Sequence, residues 1–186
     1  MNGFLVGCAG CDISQGVHVD VNQRGGIVEL DGNWILNHYG GSEGFLGWMA
    51  LQPRFHRMEL ADLTPEEAAA LGSNIQKVEA ALRQYWLKNF PSDPIQRMYV
   101  VYFFESIFDP KPDKYHLHLH LIPRTVRLGR LLRRYSCDGS IHAWSVSQIV
   151  ILNAGDIPDE YKNKNHEKPV LMTYLRACLA QTRAEK

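Results

Sequence analysis

The sequence predicts a mixed α and β fold, and three observations lead to that expectation. Short apolar runs with strand character lie within residues 26–53, a long segment with clear helix signals follows at 64–89, and histidine alternates with leucine at 116–121. Strict alternation is typical of a β-strand, whereas apolar residues three and four positions apart are typical of a helix. The chain therefore predicts strands before and after one long helix.

The first strands are predicted to form a β-hairpin. Residues 26–32 and 33–38 are two short apolar runs that meet at Asp31–Asn33, where the sequence Asp-Gly-Asn is a good turn signal. A third strand is predicted at 47–53 and ends at its proline, which cannot continue the ladder.

The long helix has the clearest local signals in the chain. Thr64 is the predicted N-cap, Pro65 suits the first helical position, and Glu67 completes a capping box. A helical stripe of apolar residues then continues to about Asn89. The strongly apolar run at 98–104 predicts a strand that lies centrally in a sheet.

Length and pattern predict one domain over residues 1–186. We divide it into an irregular arm at 1–25, a core at 26–124 and a C-terminal extension at 125–186, which ends in a helix predicted at 169–183. The length is enough for a substantial hydrophobic core, and no repeat or linker suggests a second domain.

Composition narrows the possible partners and location. The chain carries 20 basic and 20 acidic residues, so a general electrostatic grip on nucleic acid is not expected. Apolar residues make up 45% of the chain, but no run of them is long enough to span a membrane, and the N-terminus lacks the pattern of a signal peptide. We expect a cytoplasmic protein that binds neither membranes nor nucleic acid.

The histidine row is the strongest candidate for function. His116, His118 and His120 alternate with leucines, so a strand at 115–124 would place the imidazoles on one face and the leucines on the other. Neighbouring attachment points would then lie roughly 6–7 Å apart. Metal binding, nucleophilic or acid–base catalysis, and anion binding all remain open for such a row.

Cys8 and Cys11 form a C-x-x-C pair in the arm. In a cytosolic protein this pair indicates metal or redox chemistry, and zinc sites commonly combine two cysteines with two histidines. The spacing does not choose the histidines among the eight in the chain. Two incidental thiols are the alternative, and a thioredoxin-type redox pair is less favoured because no clear helix follows the motif.

These residues resemble the histidine-triad (HIT) superfamily. His116–Arg124 is similar to the H-x-H-x-H signature of that family, and Gly47–His56 resembles its segment of glycine, apolar strand, proline, basic residue and histidine. The helix opening at Leu63–Glu67 lies where the family has its long helix. The resemblance covers residues 26–124, a little over half of the chain.

The resemblance implies an α+β fold with an antiparallel sheet and a long helix, usually as a homodimer, and chemistry on a nucleotide α-phosphate. It implies His118 as the nucleophile that forms a covalent nucleotidyl intermediate. His120 is the natural donor to the phosphoryl oxygens, because it shares the face of His118. Asn37 corresponds to a position that often binds ribose hydroxyls. Relatives with a zinc ion, including sugar-nucleotide uridylyltransferases, imply a structural Zn²⁺ held by Cys8, Cys11, His56 and His116.

The loop before the triad departs from the family pattern. Many relatives have a glycine-rich loop with a Gln-Ser or Gln-Thr pair there, whereas residues 106–114 contain neither glycine nor glutamine. Arg124, together with Ser106, Lys111 and Lys114, is a candidate to contact phosphate instead. We expect a nucleotide hydrolase that acts on dinucleoside polyphosphates or nucleoside phosphoramidates. The alternatives are a nucleotidylyltransferase and a nucleotide- or zinc-binding module without catalysis.

Overall fold

The structure is a computed structural model that describes residues 3–39, 45–102, 114–129 and 166–184. Its helices are α1 (Ala9–Ser14), α2 (Val19–Gln23), α3 (Pro65–Asn89) and α4 (Glu167–Ala184), and its strands are β1 (Ile27–Glu29), β2 (Trp34–His38), β3 (Met49–Pro53), β4 (Ile95–Tyr102) and β5 (Leu119–Thr125). Short 3₁₀ turns lie at Asp31–Asn33 and Leu60–Asp62. No helix in the described ranges is long and apolar enough to cross a membrane.

The five strands form one antiparallel sheet in the order β1-β2-β3-β5-β4. This arrangement, together with the long helix α3 and the terminal helix α4, confirms the predicted α+β class. The hairpin of β1 and β2 is confirmed, with Gly32 and Asn33 both at positive φ in its turn. Gly32 is required by packing as well, because a Cβ there would lie 2.5 Å from the Cβ of Ala70 in α3.

Helix α3 begins and ends as the sequence predicts. The Thr64 hydroxyl accepts a hydrogen bond from the Glu67 amide at 3.2 Å, and the Glu67 carboxylate accepts one from the Thr64 amide at 2.8 Å. Each bond satisfies a backbone donor that the first turn of a helix leaves unpaired. The helix ends at Asn89, and the amide of Phe90 donates to the carbonyl of Trp86.

The main core lies between one face of the sheet and the two long helices. Leu36, Leu51 and Leu119 are cross-strand partners in one row of that face, and all three are buried. Helix α4 packs against α3, β1 and β2, which closes the core. Leu119 and Leu121 of the histidine row therefore contribute to the core, as their alternation predicts.

The opposite face of the sheet carries two of the candidate site residues, Asn37 and His120. Asn37, Ala50, His120 and Val101 are successive cross-strand partners, so their side chains lie on this second face. A smaller apolar cluster covers the same face farther along, with Trp48 and Ile122 among its buried residues.

Two predictions about strands are wrong. Strand β4 was predicted to lie centrally, but among the strands that the structure describes it lies at an edge of the sheet, and Val100 is 43% exposed on it. A run of apolar residues does not show whether a strand is buried on both faces, as central strands often are, or on one face and only part of the other. The histidine strand was predicted to begin at 115, but β5 begins at Leu119, so His116 precedes the regular ladder.

The arm at 1–25 was predicted to be irregular, which is also wrong. Helices α1 and α2 both lie within it, and α1 begins directly after Cys8. Helix α1 has only six residues and no side-chain cap, so its local signal is weak. Tertiary contacts hold it instead, since the Gln52 side chain donates to the Gly10 carbonyl at 2.8 Å. Predictions for 103–113 and 130–165 lie outside the described residues.

Candidate functional site

His116 lies just before β5, where the chain is not yet part of the sheet. Pro53, at the end of β3, has no amide hydrogen to donate to a continuing ladder. Its carbonyl oxygen instead lies 2.9 Å from Nε2 of His116, and the Leu117 amide donates to the Arg57 carbonyl at 2.7 Å. His116 is therefore held by side-chain and backbone contacts from the end of β3 and from the segment that follows it.

Four potential metal ligands converge beside this segment. The ligand atoms of Cys8, Cys11, His56 and His116 all lie within 4.8 Å of one another. Nδ1 of His116 lies 3.5 Å from Cys8 Sγ and 3.6 Å from Cys11 Sγ, and Nδ1 of His56 lies 3.7 Å from Cys11 Sγ. These are the four residues that the resemblance implied.

The separations can be compared with a tetrahedral zinc site. Zinc–sulfur bonds of about 2.3 Å and zinc–nitrogen bonds of about 2.0–2.1 Å at tetrahedral angles place sulfur and nitrogen about 3.6 Å apart. The sulfur–nitrogen distances of 3.5–3.7 Å agree with that value. Two sulfur and two imidazole donors are also a usual zinc set, so the cluster fits Zn²⁺.

Protonation at His116 suits a metal ligand. A carbonyl oxygen can only accept, so Nε2 of His116 carries the hydrogen that is donated to Pro53. Nδ1 is then the bare nitrogen, and it faces both sulfur atoms. Burial, partly offset by the Pro53 carbonyl, lowers the pKa of His116 to about 4, which keeps the imidazole neutral at pH 7. A hydrogen bond on the distal nitrogen commonly orients a ligating histidine.

The buried Cys11 thiol needs a compensating charge before it can ionise. Burial and then the neighbouring Cys8 raise the pKa of this thiol to about 11, although the Leu5 amide, which donates to its sulfur at 3.2 Å, opposes the rise. A coordinated cation deprotonates a thiol outright. Both cysteines are fully buried, so this environment favours a closed site over an exposed redox pair.

Gly10 explains the local sequence between the cysteines. A Cβ at Gly10 would lie 2.3 Å from Cγ of His116, far inside the contact distance. The glycine therefore lets α1 approach the imidazole closely enough for both cysteines to face it. A glycine inside a C-x-x-C pair is a weak sequence signal for such an approach, and sequence reasoning did not identify its role.

A buried ion pair fixes the second histidine ligand. Arg57 and Glu67 are 7% and 1% exposed and make two hydrogen bonds, at 2.9 and 3.0 Å. Arg57 also donates to the carbonyl of His56 at 2.9 Å. The start of α3 is thereby tied to the metal cluster, and this connection was not predicted from sequence.

His118 lies beside the cluster and is half-buried. Its Nδ1 lies 2.9 Å from the carbonyl oxygen of His116. Because that oxygen only accepts, Nδ1 carries the hydrogen and Nε2 is left with its lone pair. A neutral imidazole with a bare, oriented nitrogen can act as a nucleophile near neutral pH.

His120 has the opposite tautomer. The indole N–H of Trp48 donates to Nδ1 of His120 at 3.0 Å, so the hydrogen of the neutral ring lies on Nε2. Burial, and then the nearby His118, lower the pKa of His120 to about 3. Its ring centroid lies 4.8 Å from that of His118 and 4.4 Å from that of Tyr39. One bare nitrogen and one N–H donor are therefore presented by neighbouring rings.

The other two predicted site residues lie at different distances from this pair. Asn37 is in the same row as His120, two strands away and about 10 Å from it, with only the small Ala50 between them. Its Nδ2 is buried and has no hydrogen-bond partner within the described ranges. Arg124 lies four residues beyond His120 in β5 and donates to the Tyr99 hydroxyl at 3.3 Å. The structure thus places Asn37 near the histidine pair and Arg124 farther along the strand.

Sequence reasoning missed Tyr39 and Trp48. Their rings stack with centroids 4.9 Å apart, and both contact His120. Tyr39 belongs to no motif, and Trp48 lies within Gly47–His56 without being one of the residues that define that segment's pattern, so only the folded chain identifies them as part of this site.

Comparison with known proteins agrees with the fold. No model of a protein family matches the sequence, and no curated protein matches it either. The structure is similar to the crystal structure of a Zn-bound histidine triad family protein from Mycobacterium smegmatis, with a TM-score of 0.50. The match has 18% sequence identity and covers 97% of this chain and 98% of the other. The fold is that of the histidine-triad proteins.

Proposed function

We propose that this protein is a nucleotide-processing enzyme of the histidine-triad type. It acts on a nucleotide α-phosphate through a covalent intermediate on His118. The observation that carries the proposal is the hydrogen bond from Nδ1 of His118 to the His116 carbonyl, which leaves Nε2 bare beside a second imidazole. Orientation of a nucleophile in its reactive tautomer is a requirement that a merely structural histidine does not have.

The proposed reaction has two displacements. Nε2 of His118 attacks the α-phosphorus, a nitrogen–phosphorus bond forms, and the bond to the leaving group breaks. Water then attacks the same phosphorus and gives up a proton to solvent, the nitrogen–phosphorus bond breaks, and the nucleoside monophosphate and the neutral imidazole are released. Two displacements replace one difficult step, and each of them needs a donor for the negative phosphoryl oxygens.

Substrate contacts follow from the same face of the sheet. We assign His120 to the phosphoryl oxygens, since its Nε2–H is a neutral donor next to His118. We assign Asn37 to a hydroxyl or carbonyl of the nucleoside, because its buried amide nitrogen has no partner within the described ranges. We assign Arg124 to the outer part of the substrate, given its position farther along β5.

We propose that Cys8, Cys11, His56 and His116 hold a structural Zn²⁺. The donor set and the sulfur–nitrogen distances support zinc, and the structurally similar Mycobacterium smegmatis protein is Zn-bound. All four positions of the tetrahedron are occupied by protein atoms, so the ion supplies a closed structural cross-link. Residues of α1, of the segment after β3 and of the histidine segment are joined by it.

One experiment tests the mechanism. The wild type, His118→Ala and His166→Ala are mixed with a dinucleoside polyphosphate, and the release of nucleoside monophosphate is followed after rapid quenching. We expect His118→Ala to lower kcat by more than about a thousandfold, because the nucleophile is lost. His166 is an exposed histidine at the start of α4, and its variant should keep wild-type turnover.

The covalent step has its own readout. Acid-labile, base-stable labelled nucleotide on the wild-type protein, and none on His118→Ala, would support the intermediate. Turnover that survives in His118→Ala would overturn it. Nucleotide binding by the wild type without any turnover would instead favour a binding module that has lost catalysis.

A nucleotidylyltransferase is the second candidate. The four clustered residues are those that the resemblance to zinc-bearing relatives, sugar-nucleotide uridylyltransferases among them, implied as ligands. Product analysis with and without a sugar phosphate separates the two candidates. Transfer of the nucleotide to the added acceptor at the expense of hydrolysis would establish the transferase.

We also propose a cytoplasmic homodimer. Strand β4 lies at an edge of the sheet in the described ranges, and Val100 on it is 43% exposed, which supports association through this edge. Light scattering after size exclusion would test the state. A monomer at micromolar concentration would contradict it.

A further inference from the structure

Trp48 makes a direct hydrogen bond to His120, the histidine beside the candidate nucleophile His118. It lies directly before β3, is 1% exposed, and donates its indole N–H to Nδ1 of His120 at 3.0 Å. Two aromatic rings hold the indole in place, Tyr39 with its centroid at 4.9 Å and Phe45 at 5.1 Å. The Trp48 carbonyl also accepts from the Tyr39 amide at 2.8 Å, so backbone and side chain are both fixed.

The chemistry of this contact is one-directional. An indole nitrogen donates and cannot accept, so a hydrogen on Nδ1 of His120 would point at the hydrogen of Trp48. The imidazole is therefore restricted to the tautomer with its hydrogen on Nε2, and the doubly protonated ring is excluded by the same clash. Tyr39 meets the ring of His120 at 88°, which restricts its rotation as well.

We propose that Trp48 is a positioning residue for the reaction at His118, because it holds His120 as a neutral Nε2–H donor to a phosphoryl oxygen. The inference rests on the proposed function. It adds two points to that function. Trp48 positions His120 although it contacts no reacting atom, and the reaction favours one class of leaving group.

The leaving group must depart without a proton from His120. A neutral imidazole gives up its only hydrogen at a very high pKa, and the imidazolium that could act as a general acid is excluded by Trp48. Phosphate and polyphosphate leaving groups are stable as anions near neutral pH, whereas an amine leaves readily only after its nitrogen is protonated. The geometry therefore favours phosphoanhydrides, such as dinucleoside polyphosphates, over nucleoside phosphoramidates.

Trp48→Phe tests the proposal, because it removes the donor and keeps an aromatic ring in the apolar cluster. Trp34→Phe is the matched control. Trp34 is also 1% exposed and also donates its indole N–H, to the Glu67 carbonyl at 2.8 Å, but it belongs to the main core. Thermal unfolding of both variants measures how much stability each loses. Their kinetics can then be compared at a temperature at which both are fully folded.

Kinetics give the first readout. We expect wild-type kcat/KM to be at least about tenfold higher for a dinucleoside polyphosphate than for the matching nucleoside phosphoramidate. Trp48→Phe should lower kcat on the polyphosphate by about tenfold or more while KM changes less than about twofold. The reason is that His120 would no longer be held in place as the donor to the phosphoryl oxygen in the transition state. The preference for the polyphosphate should narrow in Trp48→Phe and stay unchanged in Trp34→Phe.

Two-bond proton–nitrogen correlation spectra give the second readout, with His120 assigned by comparison with His120→Gln. Wild-type His120 should show a hydrogen on Nε2 alone at pH 7, and Trp48→Phe should show mixed tautomers. Unchanged kinetics and an unchanged His120 tautomer in Trp48→Phe would overturn the inference while the proposed function stands. Absence of turnover in the wild type would overturn the proposed function, and the spectra would still decide whether Trp48 fixes His120.

Discussion

The imidazole of His118 is attached to the backbone of His116, through a hydrogen bond of 2.9 Å from Nδ1 to the carbonyl oxygen. The side chain of the same His116 lies 3.5 Å from the sulfur of Cys8. One residue therefore joins the candidate metal centre to the candidate nucleophile. Any change that moves His116 should alter the tautomer and direction of His118.

Cys11→Ser tests this connection directly. We expect the variant to lose bound zinc and at least about tenfold in kcat, because His116 is no longer held from the metal side. Zinc content by mass spectrometry and steady-state kinetics measure the two effects. Cys178→Ser is the control, since Cys178 is a free cysteine of α4 outside the cluster. A zinc-depleted variant with wild-type kcat would show that the metal and His118 are independent.

Gly10→Ala should disrupt the cluster without removing a ligand. Its new methyl group would lie 2.3 Å from Cγ of His116, so α1 or the imidazole must move. We expect weaker zinc retention against a chelator. Gly72→Ala in α3 is the control, because nothing lies within 4 Å of its new Cβ, and it should stabilise the protein by about 0.5–1 kcal/mol. Equal zinc retention in the two variants would contradict the packing argument.

Glu67→Ala should be strongly destabilising. It leaves the guanidinium of Arg57 buried without its partner and removes half of the capping box, and breaking a buried pair commonly costs about 3–5 kcal/mol. Urea unfolding measures the loss. Glu79→Ala, which breaks the half-exposed pair with Arg83 on the same helix, should cost only about 0.3–0.5 kcal/mol. Similar losses for the two variants would refute the role of burial.

His38 predicts a loss of stability in acid. It is buried, donates from Nδ1 to the Tyr39 carbonyl and accepts from the Gly47 amide, and burial, then the charges of Lys168 and Arg24, lower its pKa to about 3. The unfolded chain takes up a proton near pH 6.5 and the folded chain does not. Stability should therefore fall as the pH drops from about 6.5 toward 3, by about 1.4 kcal/mol per pH unit for this group.

His38→Gln is the variant that isolates this effect. Glutamine can donate and accept in the same two directions but does not titrate. Urea unfolding at several pH values between 7.5 and 5 gives the free energy of unfolding as a function of pH. The slope of this free energy against pH should be smaller in His38→Gln than in the wild type, by the amount that corresponds to uptake of about one proton. An identical slope in the two proteins would show that His38 is protonated in the folded state.

Much of the local structure could be predicted from sequence. Thr64, Pro65 and Glu67 define the start of α3 through interactions within one turn of helix, so no distant residue is needed to read them. The hairpin turn at Asp31–Asn33 is equally local. In contrast, α1 depends on Gln52 and His116, which are distant in sequence, and its own six residues gave no usable signal.

The histidine row shows the same division within the site. Its alternation by itself predicted that the leucines face the core, as Leu119 and Leu121 do, and resemblance to the family supplied the four residues of the candidate metal cluster. Only the tertiary structure decided which ring nitrogen of each imidazole carries the hydrogen. Pro53, the His116 carbonyl and Trp48 set the tautomers of His116, His118 and His120 respectively.

The physical reason is the range of the interactions. The two-residue period of a strand depends only on neighbouring residues. A histidine tautomer depends on whichever donor or acceptor the fold brings against each ring nitrogen. Trp48 is 72 residues from His120, and Pro53 is 63 residues from His116. Sequence alone therefore determined most of the candidate residues, and the fold determined where each proton lies.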